Sequence, residues 1–326
     1  MTAPSLINRI TNFVDAHQLI PEQATIILGL SGGPDSVFLF HYLLNAQQSR
    51  PFKLIVAHLN HGWRSTAGYD EQFCRDLALR CGIPSIIEHA AALFKNISWT
   101  GSKEEQARVA RRIFFERIAA EHTNARIALA HHQDDQDETF FIRLVRGAGL
   151  QGLKGMAPRA GIYIRPLLCA RKEELLTYLE EHNLAYVLDS TNVDDTYLRN
   201  RIRHRVIPAL RLCDQRFPGS LQQVLTNLAE ADEFCTILAE RTLQQLSQEA
   251  EDAIWIDLAG WQKLHPFLQK QVLLSWLCKA QVVFTPSQGL FYEIMRFLNQ
   301  AQPGKHLLYG RWYIQKQQQR ARIIGR

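Results

Sequence analysis

The chain has 326 residues, of which 46% are hydrophobic and 21% charged, and its formal net charge is +5 at pH 7. This composition is ordinary for a globular protein, and the length is sufficient for two domains. The small excess of positive charge permits a polyanionic partner but does not require one.

The six cysteines are scattered along the chain, and no two of them have the Cys-x-x-Cys spacing. That arrangement argues against a zinc ribbon, a redox pair and an iron–sulfur loop, and it is typical of a reducing compartment. The first residues lack the apolar core of a signal peptide, and no uncharged apolar run approaches the roughly 18 residues of a membrane span. We therefore expect a soluble, cytoplasmic protein.

Short apolar runs alternate with amphipathic stretches through the first two-thirds of the chain. The predicted strands are residues 24–30, 53–60, 85–89 and 126–130. The predicted helices are residues 36–45, 70–80, 103–122 and a segment that follows the fourth strand and runs through Arg146. This alternation predicts an α/β fold with a parallel sheet that binds ligands at the carboxyl ends of its strands.

The pattern becomes mainly helical after about residue 218. The predicted helices are 221–249 (one helix or a pair), 265–279 and 287–299, and they are followed by β-like pieces at 305–309 and 311–315 and a basic tail. Pro218 and Gly219 interrupt the helical pattern. We therefore predict a first domain over residues 1–217 and a smaller, mainly helical domain over residues 218–326.

The glycine-rich segment between the first strand and the first helix of the sheet predicts an anion site. Ser31-Gly-Gly-Pro-Asp-Ser36 directs backbone N–H groups and a helix N-terminus toward one point. Its sequence matches neither the Gly-x-x-x-x-Gly-Lys motif nor the Gly-x-Gly-x-x-Gly motif. A plain flexible turn is the alternative interpretation.

The stretch His131-His-Gln-Asp-Asp135-Gln-Asp-Glu138 follows the fourth strand and begins a helix. At helical spacing His131 and Asp135 share one face, as do Asp134 and Glu138. Such a density of acids favours a site for Mg²⁺ or an amine, whereas helix capping is the simpler alternative. His58 and His61 after the second strand could bind a metal, but a turning loop explains them as well.

Arginines are grouped in two predicted helical segments. Arg108, Arg111 and Arg112 lie on the 103–122 helix, where they could clamp a phosphate or form a solvated face. The arginines at 199, 201, 203 and 205 cannot all lie on one helical face, so some must point toward the protein or a ligand. Contacts to phosphates of ATP or RNA and a basic surface helix are equally consistent with this run.

Ser-Gly-Gly-x-Asp-Ser after a first strand is the signature of the PP-loop ATP pyrophosphatases, which this region resembles. The whole order of segments is similar to the tRNA(Ile)-lysidine synthase family: SGGPDS, HLNHGWR, EEQARVARR, AHHQDDQDETFFIRLVRGAGLQGLKGM, RPLL and DSTNVDDTYLRNRIRHRVIP. The resemblance covers roughly residues 20–215 and implies a PP-loop (adenine nucleotide alpha hydrolase-like) domain with a smaller second domain.

The resemblance implies an ATP-dependent carbon–nitrogen ligase. In that family ATP adenylates O2 of the cytidine at the first anticodon position of an isoleucine tRNA with a CAU anticodon, releasing pyrophosphate. The side-chain amine of free L-lysine then attacks C2 and expels AMP. The expected partners are therefore tRNA(Ile), lysine, ATP and Mg²⁺, and a homodimer is left open.

The resemblance also carries roles to individual residues. The expected ATP-binding residues form the glycine loop: Ser31, Gly32, Gly33, Pro34, Asp35 and Ser36. The expected catalytic residues are Asp35, Arg111, His131, Asp135, Glu138 and Arg203. Asp35 and Asp135 are the expected Mg²⁺ ligands. His131, Asp135 and Glu138 would line the adenylation and lysine site. Arg111 (or Arg108) and Arg203 would meet phosphate or the activated base.

Three rival functions remain at this stage. A PP-loop tRNA thiolase needs a persulfide cysteine or an iron–sulfur cluster, which the cysteine spacing disfavours. A glutamine-dependent synthetase needs a further domain that the residues before the first strand are too few to form. A catalytically inactive RNA-binding module has no use for the glycine loop. Because many relatives carry a further carboxyl-terminal domain, we expect this chain to be either a short form or a truncated one.

Overall fold

Strand β1 (Thr25–Gly29) lies between two parallel neighbours in a six-stranded sheet. The computed structural model describes residues 5–63, 66–93, 102–188, 197–250, 253–282, 284 and 287–325. The strands are β2 (Lys53–Asn60), β3 (Ser85–His89), β4 (Ala125–Ala128), β5 (Arg159–Ala160) and β6 (Tyr163–Ile164), in the order β3-β2-β1-β4-β6-β5. All pairs are parallel except β5 with β6. The carboxyl ends of the parallel strands therefore meet at one edge.

Helices cover both faces of this sheet. They are α1 (Leu6–Ala16), α2 (Pro34–Ala46), α3 (Ala67–Arg80), α4 (Ala90–Leu93), α5 (Lys103–Ala120), α6 (Gln133–Val145), α7 (Leu150–Leu153), α8 (Lys172–Glu181), α9 (Leu198–Arg201), a π-helical turn (Ile202–Val206) and α10 (Ile207–Cys213). Ile26 packs with Phe38 on one face, and Ile27 packs with Phe114 on the other. Apolar side chains on successive residues of β1 are thus buried on opposite faces, as a central parallel strand requires.

The chain forms two compact units, residues 1–148 with 155–221 and residues 149–154 with 222–326. The first unit confirms the predicted α/β class with a parallel sheet. Two predicted strands, β2 and β3, have the observed bounds, and the first and fourth differ by one or two residues at their ends. His131 precedes α6, so it does not share a helical face with Asp135 as the spacing argument assumed.

The second unit contains helices and a five-stranded antiparallel sheet. The helices are α11 (Phe217–Leu246, whose first residues belong to the first unit), α12 (Leu258–Gln262), α13 (Pro266–Lys279) and α14 (Gln288–Asn299). The strands are β7 (Ser247–Ala250), β8 (Ala253–Asp257), β9 (Gly304–Tyr309), β10 (Trp312–Gln317) and β11 (Arg320–Gly325), in the order β7-β8-β11-β10-β9. Trp261, Trp276 and Ile294 are buried in its core.

This sheet is larger than the short β-like end that the sequence suggested. The segment read as a basic tail is β11, which pairs with both β10 and β8. Pro218 and Gly219 lie in the first turn of α11, where proline is tolerated because its missing N–H would have no helical partner there. Among the described helices, none is both long and apolar enough to cross a membrane.

Candidate active site

The glycine loop joins the end of β1 to the start of α2. The hydroxyl of Ser36 accepts from the backbone N–H of Ser31 at 3.1 Å and donates to the carbonyl of Gly33 at 2.9 Å. The two serine hydroxyls lie 3.0 Å apart. Gly32 has a φ of +85°, which L side chains rarely adopt. The loop therefore curls back over the N-terminus of α2, where N–H groups favour an anion.

His58 contacts the residue that precedes the glycine loop. Its ring is buried, and Nδ1 lies 2.8 Å from the carbonyl oxygen of Leu30, the residue before the loop. Burial lowers the pKa of His58, so its ring is neutral and Nδ1 carries the proton that the carbonyl accepts. The structure thus favours the structural interpretation of His58 over the metal-binding one.

The carboxylate of Glu138 anchors two arginines at the carboxyl edge of the sheet. Arg203 approaches both of its oxygens, at 2.5 and 3.1 Å, and Arg199 donates from Nε at 2.6 Å. Arg199 also donates to Asp135 at 2.7 Å. Glu138 is only 1% exposed, so its charge depends on these partners. Within the arginine run, residues 199 and 203 therefore face the protein, whereas Arg201 and Arg205 have exposed side chains.

A second set of contacts fixes Asp134 and Asp137. Arg171 donates to Asp137 at 2.5 Å and to Asp134 at 3.4 Å. Asp134 also accepts from the backbone N–H of Lys172 at 2.9 Å and from Arg211 at 3.0 Å. Burial raises the pKa of Asp137 despite Arg171, whereas the partners of Asp134 outweigh burial and lower its pKa. These two acids connect the start of α6 to α8 and α10.

The ring of His132 lies among three carboxylates. Nε2 is 3.6 Å from Asp35 and 3.5 Å from Asp135. Nδ1 is 3.6 Å from Asp134. Burial alone would lower the pKa of His132, but the carboxylates of Asp134, Asp35 and Asp135 outweigh it and raise this pKa to about 10. His132 is therefore a cation at neutral pH that links the glycine loop to α6.

His131 has the opposite electrostatic state. Burial, together with the charges of Arg165, Arg199 and Arg111, lowers its pKa to about 4, although Asp135 acts in the other direction. Its Nδ1 is buried and has no hydrogen-bond partner in the described part of the chain. His131 is thus a neutral ring on which the arginines act electrostatically, with one buried nitrogen that makes no hydrogen bond to the described residues.

The structure brings most of the predicted site residues to one edge. The glycine loop, Asp35, Asp135, Glu138 and Arg203 are connected through His132 and Arg199. Arg111 acts electrostatically on His131, whereas Arg108 pairs with Glu105 in an exposed position. The acidic turn at residues 189–196 and Arg64 lie outside the described residues.

Sequence reasoning missed several contributors to this edge. His132, Lys172 and Arg171 were not singled out, and Arg199 was only one of four arginines. The signal for His132 was its position directly before a helix whose first turn is rich in acids. The side chain of the residue before a helix turns toward the first turn of that helix. Lys172 lies 3.7 Å from Asp35 and adds a cation beside the loop.

The carboxylates at this edge fit a magnesium ion that is bound together with a nucleotide. Oδ1 of Asp35 is buried and has no hydrogen-bond partner among the described residues, and Asp35 and Asp135 approach the same nitrogen of His132. Within the described residues no three His, Cys, Asp or Glu side chains form a metal-binding group. Two carboxylates suffice for Mg²⁺, which keeps several waters and takes its other ligands from substrate phosphates.

Comparison with known proteins agrees with this geometry. A family model described as a PP-loop domain matches residues 3–210. The chain is 28% identical over 312 residues to a tRNA(Ile)-lysidine synthase from Bacillus cereus, covering 93% of this chain and 66% of that protein. It is 31% identical over 277 residues to one from Geobacillus kaustophilus, covering 82% of this chain and 59% of that protein. The chain therefore spans just under two thirds of the length of these curated relatives.

A solved structure shares the fold. The U34-tRNA thiolase NcsA from Methanococcus maripaludis, with its 4Fe-4S cluster, matches with a TM-score of 0.58 at 20% identity, covering 69% of this chain and 77% of that chain. At this identity the likeness establishes the fold alone.

Proposed function

The chain belongs to the PP-loop domain family, and from that premise we propose that it is an ATP-dependent carbon–nitrogen ligase that attaches lysine to tRNA. The proposed acceptor is C2 of the cytidine at the first anticodon position of tRNA(Ile) with a CAU anticodon. The name shared by the Bacillus and Geobacillus relatives supports this substrate. The observation that carries the proposal is the connection of the glycine loop to Asp135 through His132, because it joins an ATP site to an acidic site.

The first half of the reaction is adenylation of the base. O2 of the cytidine attacks the α-phosphorus of ATP, and the bond from that phosphorus to the pyrophosphate oxygen breaks. We assign the pyrophosphate end to the N–H groups of the loop from Ser31 to Ser36, at the N-terminus of α2. Asp35 and Asp135 would hold Mg²⁺, which spreads the negative charge of the phosphates.

The arginines anchored by Glu138 supply positive charge where negative charge develops. Arg203 and Arg199 are held by a buried carboxylate, so they need little rearrangement to meet a phosphate. Arg111 would act from the side of α5. Since arginine remains charged at every accessible pH, this part of the site does not depend on a proton.

The second half is attack by lysine. The lysine ammonium first loses a proton to water, and the resulting amine forms a bond to C2. The bond from C2 to the adenylated oxygen breaks, AMP leaves, and the added nitrogen loses a second proton to water. A lysine ammonium carries the same charge as the guanidiniums, so we infer that it binds by exchanging with Arg199 at Asp135 and Glu138. Neutral His131 can hydrogen bond to the substrate without repelling that ammonium.

The second unit, residues 149–154 with 222–326, is proposed to contact the tRNA. Arg320 and Arg322 stack on Trp255, 5.2 and 4.8 Å from the ring centroid, and Arg311 lies over Trp312. Tyr309 on the same sheet is 55% exposed. Cations and aromatic rings on one sheet suit RNA phosphates and bases.

We place the reaction in the cytoplasm, where ATP, lysine and tRNA occur together.

Sulfur transfer is less well supported by the cysteines. Cys74 is fully buried next to the glycine loop, and burial raises its pKa to about 12. A thiol of that kind does not ionise at neutral pH and is a poor carrier of sulfur.

The test combines the purified chain with Mg²⁺, ATP, labelled lysine and unmodified tRNA(Ile). We expect AMP release and lysine attachment to occur only together, and we expect both to be lost in Asp35→Asn. A matched control is Asp76→Asn, an exposed change on α3. AMP formation without lysine attachment would assign the chain another nucleophile. If the chain bound tRNA but did not turn over ATP, the result would support the catalytically inactive RNA-binding module instead.

A further inference from the structure

A second cationic site lies at the amino edge of the sheet in the first unit. A cavity of about 460 Å³ is lined there by Arg50, Arg126 and Arg159, with the remaining wall formed by Val14, Asp15, Gln18, Ile20 and Pro21. This volume lies within the range of small-molecule sites, roughly 300–1,000 Å³.

This cavity is separate from the candidate active site. Arg126 is the second residue of β4, whereas His131 follows the carboxyl end of the same strand. Five residues of extended chain span about 16 Å. A nucleotide held by the glycine loop therefore does not reach Arg126 through the sheet.

The side chain of Arg126 has an unused hydrogen-bond donor and no carboxylate partner among the described residues. Its Nη1 donates to the carbonyl of Ala125 at 2.8 Å, but its Nε is buried and has no hydrogen-bond partner among the described residues. Neither Arg126 nor Arg159 has a carboxylate within ion-pair distance in the described structure. Burial and the charge of Arg159 lower the pKa of Arg126. Two like charges held together with an unused donor are the arrangement that an oxyanion relieves.

The charge balance of the cavity indicates which oxyanion. Asp15 lies 2.5 Å from Arg50 and neutralises it, so three guanidiniums and one carboxylate leave a net charge of 3 − 1 = +2. A phosphate monoester is close to a dianion at neutral pH, whereas each backbone phosphate of RNA carries one charge. Val14, Ile20 and Pro21 provide an apolar wall for an organic group.

We propose that this cavity binds a small organic phosphate monoester through Arg126 and Arg159, with Arg50 as the third cation. The site is independent of the ligase reaction proposed above. Its occupancy is therefore measured as binding, and the result does not depend on whether lysine transfer is observed.

The experiment is calorimetric titration of the full chain with ribose 5-phosphate, and with ribose as the uncharged control. Saturating α,β-methylene ATP and Mg²⁺ keep the candidate active site filled. We expect one site for ribose 5-phosphate and no heat with ribose. Arg126→Gln and Arg159→Gln should each weaken binding roughly tenfold, because each removes a charged hydrogen bond. Arg75→Gln, an exposed arginine on α3, should leave it unchanged.

Asp15→Asn should change the affinity for ribose 5-phosphate in the opposite direction. It releases Arg50 from its carboxylate, so binding should become tighter by severalfold, which a damaged fold would not produce. Equal binding by all variants, or no binding by the unaltered chain, would overturn the proposal. Binding that depends on Arg126 and Arg159 for an oligonucleotide with only phosphodiesters, but is absent for ribose 5-phosphate, would also overturn it and assign the cavity to an RNA backbone.

Discussion

Arg203 binds Glu138 through two hydrogen bonds, Nε to Oε1 at 2.5 Å and Nη2 to Oε2 at 3.1 Å, although the two residues lie 65 positions apart in sequence. This paired geometry is the strongest form of an arginine–carboxylate contact. Because Glu138 is almost completely buried, the contact both stabilises the first unit and sets the position of a cation at the candidate active site.

Replacement of Glu138 by alanine should lower the free energy of unfolding by about 2 kcal/mol, because Arg199 and Arg203 lose a buried acceptor but retain some access to water. Urea denaturation measures this change. Glu181→Ala, at the exposed end of α8, should change the same quantity by less than about 0.5 kcal/mol. Equal effects of the two substitutions would contradict a stabilising role for the Glu138 network.

The cationic state of His132 should make stability fall as the pH rises. Its pKa is about 10 in the folded protein and 6.5 in the reference state, so the folded protein holds an extra proton between these values. The stabilisation is fully present below pH 6.5 and is lost as the pH approaches 10.

The measurement is urea denaturation of the unaltered chain and His132→Asn at several pH values from 6 to 10, with EDTA present so that magnesium does not compete for the carboxylates. The difference in unfolding free energy between the two proteins should shrink as the pH rises. A difference that is independent of pH would show that His132 is neutral in the fold.

The backbone at Gly32 should be intolerant of a side chain. A Cβ at this position would meet Cys74, Phe73 and Val187 only at an ordinary 3.5 Å, so the cost comes from the φ of +85°. Gly32→Ala should therefore destabilise the protein by about 1 to 2 kcal/mol and weaken ATP binding as the loop shifts. Gly68→Ala on α3, where a Cβ meets nothing within 4 Å, is the matched control. ATP affinity equally retained by both variants would remove the loop from the nucleotide site.

The cysteines should differ sharply in reactivity. Cys74 is fully buried and its pKa is raised to about 12 by burial, and burial raises the pKa of Cys169 to about 11. Cys213 and Cys278 are exposed. Iodoacetamide at pH 8 should alkylate Cys213 and Cys278 within the time in which Cys74 remains unmodified, as read by peptide mass spectrometry. Rapid modification of Cys74 would reopen the sulfur-transfer alternative.

The α/β architecture of the first unit, and some of the residues of its candidate active site, could be predicted from local sequence patterns. Strands such as Lys53–Asn60 and Ser85–His89 were predicted with their observed bounds because apolar runs report burial locally. The glycine loop could also be identified from the sequence, because the residues that are expected to bind the anion are consecutive.

The partners that those residues contact depend on how the chain packs. Arg320–Gly325 has the composition of a basic tail and becomes β11 only because β8 and β10 lie on either side of it. Of two adjacent histidines, His132 lies within 3.6 Å of three carboxylates, whereas for His131 burial and nearby arginines outweigh the effect of Asp135. Contacts between residues far apart in sequence depend on how the chain packs, and local patterns carry no record of that packing.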